Sequence, residues 1–406
     1  MRVIVQKFGG TSLSNVQARE RAIHHIKQSV SEQYQLVVVV SAMGRKGDPY
    51  ATDSLLDLVR QNGNRLPPRE KDMLLSCGEL ISAAVMCSLL NANDIPATVL
   101  TGAQAGIRTN DQFGDALIET IQPSRIIQCL SEGKVVIVPG FQGETAQRDI
   151  TTLGRGGSDT TATALGAALQ AEYVDIFTDV DGIFTADPRI VEEARPIRAV
   201  SYAEICNMAY QGAKVIHPRA VEIAMRANVP IRVRSTFSDD LGTLVAKSAG
   251  SGGTERNLQD RHVTGIAHSA PVTQIKIKAK EGQYDLSLNV FKAMAAAQIS
   301  VDFINANVSG VSYTIFDSET ERATEILTRM GYDPEIVPNC AKVSVIGGGM
   351  NGVPGIMAQI VEALTGQDIP ILQSADSNAT IWVLVRQTDM VKAIQSLHRA
   401  FGLDRQ

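Results

Sequence analysis

Val3-Ile4-Val5-Gln6-Lys7-Phe8-Gly9-Gly10-Thr11-Ser12 opens the chain and decides how the rest is read. The β-branched run reads as a buried strand, Gly9-Gly10 as a turn, and the mostly polar stretch from about Asn15 as a helix. Two adjacent glycines let the backbone approach a ligand closely and turn successive N–H groups toward it. The helix expected next brings the positive end of its dipole to the same place. Lys7 adds a mobile ammonium with three donors. Together these parts fit a transferring phosphoryl group, although the Gly-x-x-x-x-Gly-Lys-Ser/Thr pattern of a P-loop is missing. Taken alone, the stretch fits an ordinary strand-to-helix turn with a solvated lysine equally well.

Apolar runs and helical stretches alternate from there through residue 245. Leu36-Val37-Val38-Val39-Val40, Pro96-Ala97-Thr98-Val99-Leu100, Val135-Val136-Ile137-Val138, Tyr173-Val174-Asp175-Ile176-Phe177-Thr178 and Ile231-Arg232-Val233-Arg234 read as further strands. Helices are expected from about Asp53 and Pro68. Strands that are apolar on both faces and separated by helices imply a mostly parallel sheet covered on both sides, an α/β fold. Ligands of such sheets sit beyond the carboxyl ends of the strands. Gly9-Gly10, Ser41, Gly102 and Thr178 all fall there.

A chain of 406 residues has room for two or three domains. Lys+Arg 38 against Asp+Glu 43 gives a net charge of −5, which argues against nucleic acid as the main partner. Five cysteines (Cys77, Cys87, Cys129, Cys206 and Cys340) show neither metal spacing nor a Cys-x-x-Cys pair. They read as reduced residues of a cytosolic protein. The N-terminus has a strand pattern and not that of a signal peptide. No apolar run is expected to reach the ~18 residues that cross a membrane.

Composition shifts at Lys247 to Asp260, where Ser-Ala-Gly-Ser-Gly-Gly-Thr reads as a linker, placed at 246–262. An internal repeat follows. Phe291-Lys292-Ala293-Met294 with Ile299-Ser300-Val301 matches Val361-Glu362-Ala363-Leu364 with Ile369-Pro370-Ile371 at an offset of 70 residues. The same offset aligns Ile275 with Val345, Val311 with Ile381 and Ile315 with Val385. Each copy, 263–338 and 339–406, reads strand, helix, strand, strand, helix, strand, a ferredoxin-like βαββαβ unit. In the first copy Ser318 and Glu321 are spaced to cap the second helix, and Gly331 to end it.

Two further stretches carry chemistry. Gly154-Arg155-Gly156-Gly157-Ser158-Asp159-Thr160-Thr161 runs into an alanine-rich helix that Ser158 or Asp159 can cap. An N-cap needs neither Arg155, a bidentate fork for a carboxylate or phosphate, nor both glycines, so a binding role is favoured over a bare cap. Thr178-Asp179-Val180-Asp181-Gly182-Ile183-Phe184-Thr185-Ala186-Asp187-Pro188-Arg189 is a polar loop in which Phe184 and Pro188 can hold a purine, or simply connect two elements. Glu79, taken alone, reads as a solvated helix residue, and His217 before Pro218 as structural.

Taken together, Lys7 to Ser12, Val40-Ser41-Ala42-Met43-Gly44, Gly78-Glu79, Gly154 to Asp159, Thr178 to Gly182, Thr185 to Arg189 and Ala213-Lys214-Val215-Ile216-His217-Pro218 resemble the aspartokinases. The likeness runs the whole length and is greatest to the short, monofunctional, diaminopimelate-sensitive type. It implies an amino-acid kinase domain at 1–245 and a pair of ACT regulatory domains, with no fused homoserine dehydrogenase expected after Gln406. It implies transfer of the ATP γ-phosphoryl group to the β-carboxylate of L-aspartate, with Mg²⁺ held mainly on phosphate oxygens. By the same resemblance Lys7, Phe8, Gly9 and Gly10 hold phosphoryl oxygens, and Asp159 orients Lys7 or the metal. Thr178, Asp179, Phe184, Asp187, Arg189 and Lys214 line the nucleotide site. Arg155 clasps the aspartate α-carboxylate and Glu79 its ammonium. Ser41, Thr52, Gly156, Gly157 and Ser158 complete that pocket.

The resemblance places an effector (diaminopimelate, lysine or threonine) near Gln283, Asp285, Asp302, Asn305, Asn307, Val353, Pro354 and Gln373. Many ACT domains begin their first helix after Pro-Gly; Pro354-Gly355 keeps this, but the first copy has Gly282-Gln283-Tyr284-Asp285. Two other readings stand beside the kinase: a catalytically silent amino-acid sensor, and a kinase for glutamate or acetylglutamate. Intact Lys7, Arg155 and Asp159 favour an active enzyme. The linker leads us to expect that a chain cut after about Val245 folds alone as an unregulated kinase. A homo-oligomer of full-length chains in the cytoplasm is expected, a dimer or dimer of dimers.

Overall fold

The computed structural model describes residues 2–60, 63, 65–213, 215–247, 262–280, 282–350 and 352–405. They form two compact units, Met1–Ile183 with Pro196–Ala209 and Lys214–Leu258, and Phe184–Arg195 with Tyr210–Ala213 and Gln259–Gln406. Most of the expected linker, 248–261, and Lys214 lie outside the described residues.

The first unit contains, in chain order, β1 (Val3–Phe8), α1 (Val16–Ser31), β2 (Gln35–Val40), α2 (Thr52–Arg60), α3 (Pro68–Ala92), β3 (Ala97–Val99), β4 (Ile107–Thr109), β5 (Ile118–Ile121), α4 (Ser124–Ser131), β6 (Val135–Pro139), β7 (Gln142–Glu144), β8 (Ile150–Thr152), α5 (Gly157–Ala168), β9 (Val174–Thr178), β10 (Ala199–Ser201), α6 (Tyr202–Tyr210), α7 (Pro218–Ala227), β11 (Ile231–Ser235) and β12 (Thr243–Ala246). The main sheet has the order β10-β12-β11-β9-β1-β2-β6-β3. The six apolar runs of the sequence are its parallel core strands β1, β2, β3, β6, β9 and β11. Near one edge, β12 runs antiparallel to β11. A second sheet, β5-β4-β7-β8, is built from strands of three or four residues.

Ile4 and Phe8 of β1 pack with Ile23 and Ile26 of α1 and Met86 and Leu90 of α3. By length and composition α3 is the one helix among the described residues able to cross a membrane. This corrects the expectation that no such run exists. In α3 the acids are spread through the helix, and Asp72 and Glu79 are both buried. Asp72 accepts hydrogen bonds from the Gly114 and Thr152 amides and the Thr152 hydroxyl, which ties α3 into the fold.

The second unit contains β13 (Gly265–Lys278), α8 (Leu286–Ala296), β14 (Asp302–Asn307), β15 (Gly310–Phe316), α9 (Thr320–Arg329), β16 (Glu335–Ile346), α10 (Ile356–Thr365), β17 (Gln373–Asp376), β18 (Thr380–Arg386) and α11 (Met390–Ala400). They make one six-stranded sheet, β14-β15-β13-β16-β18-β17. α8 and α10, β15 and β18, and α9 and α11 each begin 70 residues apart, as the repeat requires.

The second copy differs from the expected chain order. No strand follows α11 among the described residues. Its fourth strand is the front of β13, where Gly265 to Ser269 pair with Ile346 to Lys342. The back of β13, from Val272, pairs with β15 and begins the first copy. β16 is shared in the same way: Glu335 to Val337 complete the first copy, and Cys340 to Ile346 start the second. The first copy is thus inserted inside the second. A strand arriving from the N-terminal side fills the slot that a C-terminal strand was expected to fill.

Helices cover one face of this sheet. Val290, Met294 and Leu327 pack on Ile275, Tyr313 and Ile315, and Ile360, Ile394 and Leu397 pack on Val343, Val345 and Val383. The expected capping box is absent: Ser318 lies in a single 3-10 turn, and Glu319 caps α9 without a side-chain bond.

Phe184–Arg195, which lies within 1–245 in sequence, is built into this second unit. Ala186 and Val191 are buried in the cluster that holds Ile394 and Leu397. The Thr185 hydroxyl lies 2.9 Å from His398 Nε2, and Gln395 Nε2 donates to the Ile190 carbonyl at 2.9 Å. The Ile266 amide donates to the Thr185 carbonyl at 2.7 Å.

Candidate active site

Alternation along β1 turns Ile4 and Phe8 to α1 and α3, and Lys7 to the other face. There its ammonium meets Asp159, in the first turn of α5, at 2.7 Å, with both side chains 12% exposed. A Cβ on Gly10 would lie 2.6 Å from the Gly44 carbonyl oxygen and 2.7 Å from that of Ala42. Glycine is needed at this position for close approach, and it seats the turn directly on the loop after β2. The Gly44 amide locks that contact by donating to the Gly10 carbonyl at 2.9 Å.

Two expectations about this turn are corrected. The Gly9 amide donates to the Phe177 carbonyl at 3.3 Å and so extends the β1–β9 ladder instead of facing a phosphate. α1 starts where expected, at Val16 with Asn15 as its cap, but a 3-10 turn at Thr11–Leu13 separates its positive end from the glycine turn. The helix whose positive end lies at Lys7 is α5. Its N-cap is Gly156, at φ +68°, where a Cβ would strike the His217 ring at 2.2 Å. Ser158 and Asp159 are therefore in the first turn and not at the cap. Arg155, one residue earlier, is exposed.

Glu79 of α3 is 3% exposed, far from the solvated residue its position alone suggests. Its Oε1 accepts from the Ala42 amide at 3.1 Å, beside Ser41. Its Oε2 is buried without a hydrogen-bond partner among the described residues. Burial pushes this carboxyl up to about 8. Thr52 is the first residue of α2.

Thr178 ends β9, and its hydroxyl donates to Asp179 at 3.1 Å. Phe184, Asp187 and Arg189 belong to the second unit. There Asp187 accepts from the Arg189 amide at 2.9 Å and from its guanidinium at 2.7 Å, which holds its carboxyl below the usual range. Arg45 is a residue that the sequence does not single out: its guanidinium pairs with Asp179. The available hint was a cation in a glycine-rich loop directly after a strand end.

Of the effector candidates, Asp302 and Gln373 meet one polar cluster of the second unit. Asp302 pairs with the buried Lys342. Gln373 donates to the Phe303 carbonyl at 2.6 Å and accepts from Gln274 at 2.7 Å and Ser312 at 3.1 Å. Asn305 and Asn307 follow Asp302 along β14, where Asn307 Nδ2 donates to Asn305 Oδ1 at 3.5 Å. Gln283 turns back on Lys280, Asp285 is the N-cap of α8, and Val353-Pro354 precede the Gly355 cap of α10.

A profile described as "Amino acid kinase family" matches residues 2–235, and one described as "ACT domain" matches 335–399. The strand, turn and Lys7–Asp159 pair all lie in the first of these. Aspartokinase 1 of Bacillus subtilis (strain 168) is 58% identical over 405 residues, 100% of both chains. The aspartokinase of Geobacillus stearothermophilus is 42% identical over 409 residues, 99% of this chain and 98% of its own. Among solved structures, E. coli aspartokinase III in complex with aspartate and ADP matches with a TM-score of 0.79 at 26% identity, over 98% of this chain and 99% of that one. This chain belongs to the aspartokinases, within the amino acid kinase family.

Proposed function

We propose that this chain transfers the γ-phosphoryl group of ATP to the β-carboxylate of L-aspartate, giving 4-phospho-L-aspartate and ADP. The observation that carries the reading is the largely buried Lys7–Asp159 pair beside the Gly9-Gly10 turn, at the carboxyl end of β1. A carboxylate is already ionised at pH 7, so no base is required. One β-carboxylate oxygen bonds to the γ-phosphorus while the bond to the β–γ bridging oxygen breaks, and the electron pair leaves on ADP. The protein has to align two anions and neutralise their charge.

Lys7 supplies part of that charge. Arg155 and Glu79 hold the α-carboxylate and the ammonium of aspartate, with Ser41, Thr52, Gly156, Gly157 and Ser158 around them. Thr178 and Asp179, at the end of β9, are assigned to the nucleotide. Among the described residues no group of three or more His, Cys, Asp or Glu side chains is placed to hold a metal. Mg²⁺ would arrive on the phosphate oxygens of ATP, with Asp159, 2.7 Å from Lys7, the protein carboxylate beside it. The ion would neutralise phosphate charge. The second unit is assigned to feedback control by an amino acid (diaminopimelate, lysine or threonine), in a cytoplasmic homo-oligomer.

Incubation with ATP, Mg²⁺ and hydroxylamine tests the reading, since an acyl phosphate is trapped as a hydroxamate. Aspartate is expected to give ADP and hydroxamate, and glutamate neither. Equal turnover of glutamate, or none of aspartate, would overturn it.

Two variants probe the aspartate pocket. Arg155→Lys is expected to raise the KM for aspartate far more than that for ATP, because an ammonium cannot reproduce a bidentate fork. Equal rises would point to a damaged fold. Glu79 makes aspartate binding pH-dependent. At pH 7 its carboxyl is mostly protonated in the free site, with a value near 8, and the ammonium of aspartate favours the ionised form. The KM for aspartate is therefore expected to fall roughly tenfold between pH 7 and 8.5. For stability the sign is opposite. Between its ordinary value of 4.5 and about 8 the unfolded chain releases this proton and the folded one keeps it, so the free protein loses stability as pH rises. Glu79→Gln should flatten both profiles; a KM profile unchanged in that variant would remove Glu79 from the pocket.

A further inference from the structure

Three loops meet in a closed circuit around the glycine turn. The Gly9 amide is bonded to the Phe177 carbonyl, and the Gly10 carbonyl to the Gly44 amide. Arg45, next after Gly44, and Asp179, two residues beyond Phe177, close the circuit through an ion pair. Arg45 is held at this point by its own tight turn: its amide donates to Asp48 Oδ2 at 2.7 Å, and the Asp48 amide donates to its carbonyl at 2.9 Å. A Cβ on Gly44, at φ +85°, would lie 2.3 Å from that Asp48 oxygen. The backbone of Arg45 is thus fixed one residue from the contact with Gly10, while its side chain remains 70% exposed.

Charge gives this placement its meaning. Lys7 is neutralised by Asp159 at 2.7 Å. A nucleotide polyphosphate arriving at the turn needs more positive charge than that pair leaves. The Arg45–Asp179 pair is solvent-exposed at both ends, at 70% and 40%, and exposed pairs hold together only weakly. A polyphosphate offers a guanidinium a stronger, bidentate, charge-assisted partner than one exposed carboxylate.

We propose that Arg45 is a phosphate-binding residue of the transfer site, parked on Asp179 in the free protein and transferred to the nucleotide polyphosphate on binding. Asp179 holds the guanidinium in the free protein until the polyphosphate takes it over. The proposal rests on the kinase reading above and adds a residue to it.

Calorimetric titration of Mg-ATP into the full-length protein tests it, with thermal unfolding as a control for folding. Arg45→Ala is expected to weaken binding by about tenfold, with Arg45→Lys between that variant and the wild type. A plain strap between the loops predicts a lower melting temperature for Arg45→Ala with Mg-ATP binding within twofold of the wild type. The proposal falls if Arg45→Ala binds Mg-ATP within twofold of the wild type. Mg-ATP binding needs no aspartate. A wild type that binds nucleotide but makes no hydroxamate from aspartate overturns the functional reading and leaves the Arg45 comparison valid.

Discussion

Lys7→Ala is expected to lower kcat by about three orders of magnitude, the upper end of what removing one oriented transition-state donor costs. The lysine sits on a central strand, hydrogen-bonded on both sides by β2 and β9, so its Cα cannot drift. Its ammonium is aimed by Asp159 at 2.7 Å and lies beside the glycine turn, where a Cβ on Gly9 would come within 3.5 Å of Nζ. Charge on the transferring group is most concentrated there during the reaction, so kcat should fall much more than the KM for either substrate rises. The substitution also leaves Asp159 without its cation, and some loss of thermal stability will accompany it. Steady-state kinetics on protein shown to be folded by circular dichroism is the check. A variant with near-normal kcat would remove Lys7 from the chemistry.

A chain ending after Val245 is expected to be poorly soluble or strongly destabilised, the reverse of what a simple linker suggests. Ala186 and Val191 are buried with Ile394 and Leu397 in the second unit, and Ile190 packs against the same cluster. Truncation strips these partners away and deletes the Thr185–His398 and Ile190–Gln395 contacts. Exposing one buried Val or Ile side chain costs about 1.5–3 kcal/mol, and domains hold only ~5–15 kcal/mol in all. The cut also removes Ala246, which pairs with Ser201 in the edge strand β10. The melting temperature and the soluble yield of residues 1–245 measure this. A monodisperse fragment with full kcat would show that 184–195 refolds harmlessly without its partners.

The central strands are legible in the sequence because each is a continuous apolar run buried on both faces, as in Val37 to Val40. The offset of 70 is legible for the same reason: Val311 and Ile381, or Ile315 and Val385, face equivalent cores. Strands of three residues such as β4, β7 and β8 are not legible, since they are too short to show a period. Neither is the front of β13, because what makes it the fourth strand of the second copy is pairing with Lys342 to Ile346, far away in sequence. In the site, Lys7, Arg155 and Asp159 stand out through flanking glycines that only a close-packed turn requires. The burial of Glu79 does not show, since a helix position reveals its neighbours only once α3 is packed. Arg45 and Asp179 are brought together by two separate strand ends, and nothing local to either announces the other.

The shared strands also bear on how regulation in this protein can be re-engineered. The inserted copy enters and leaves the sheet at adjacent points, where Val272 pairs with Cys340. Everything between them is a cassette whose two ends are already side by side, so a homologous ligand-binding module can be spliced in without moving the host's own strands. The outer copy has no such joints. Its pieces lie on both sides of the cassette, and exchanging it means replacing two separate stretches at once. Directed recombination should therefore recover functional chimaeras at the inner module far more often than at the outer one.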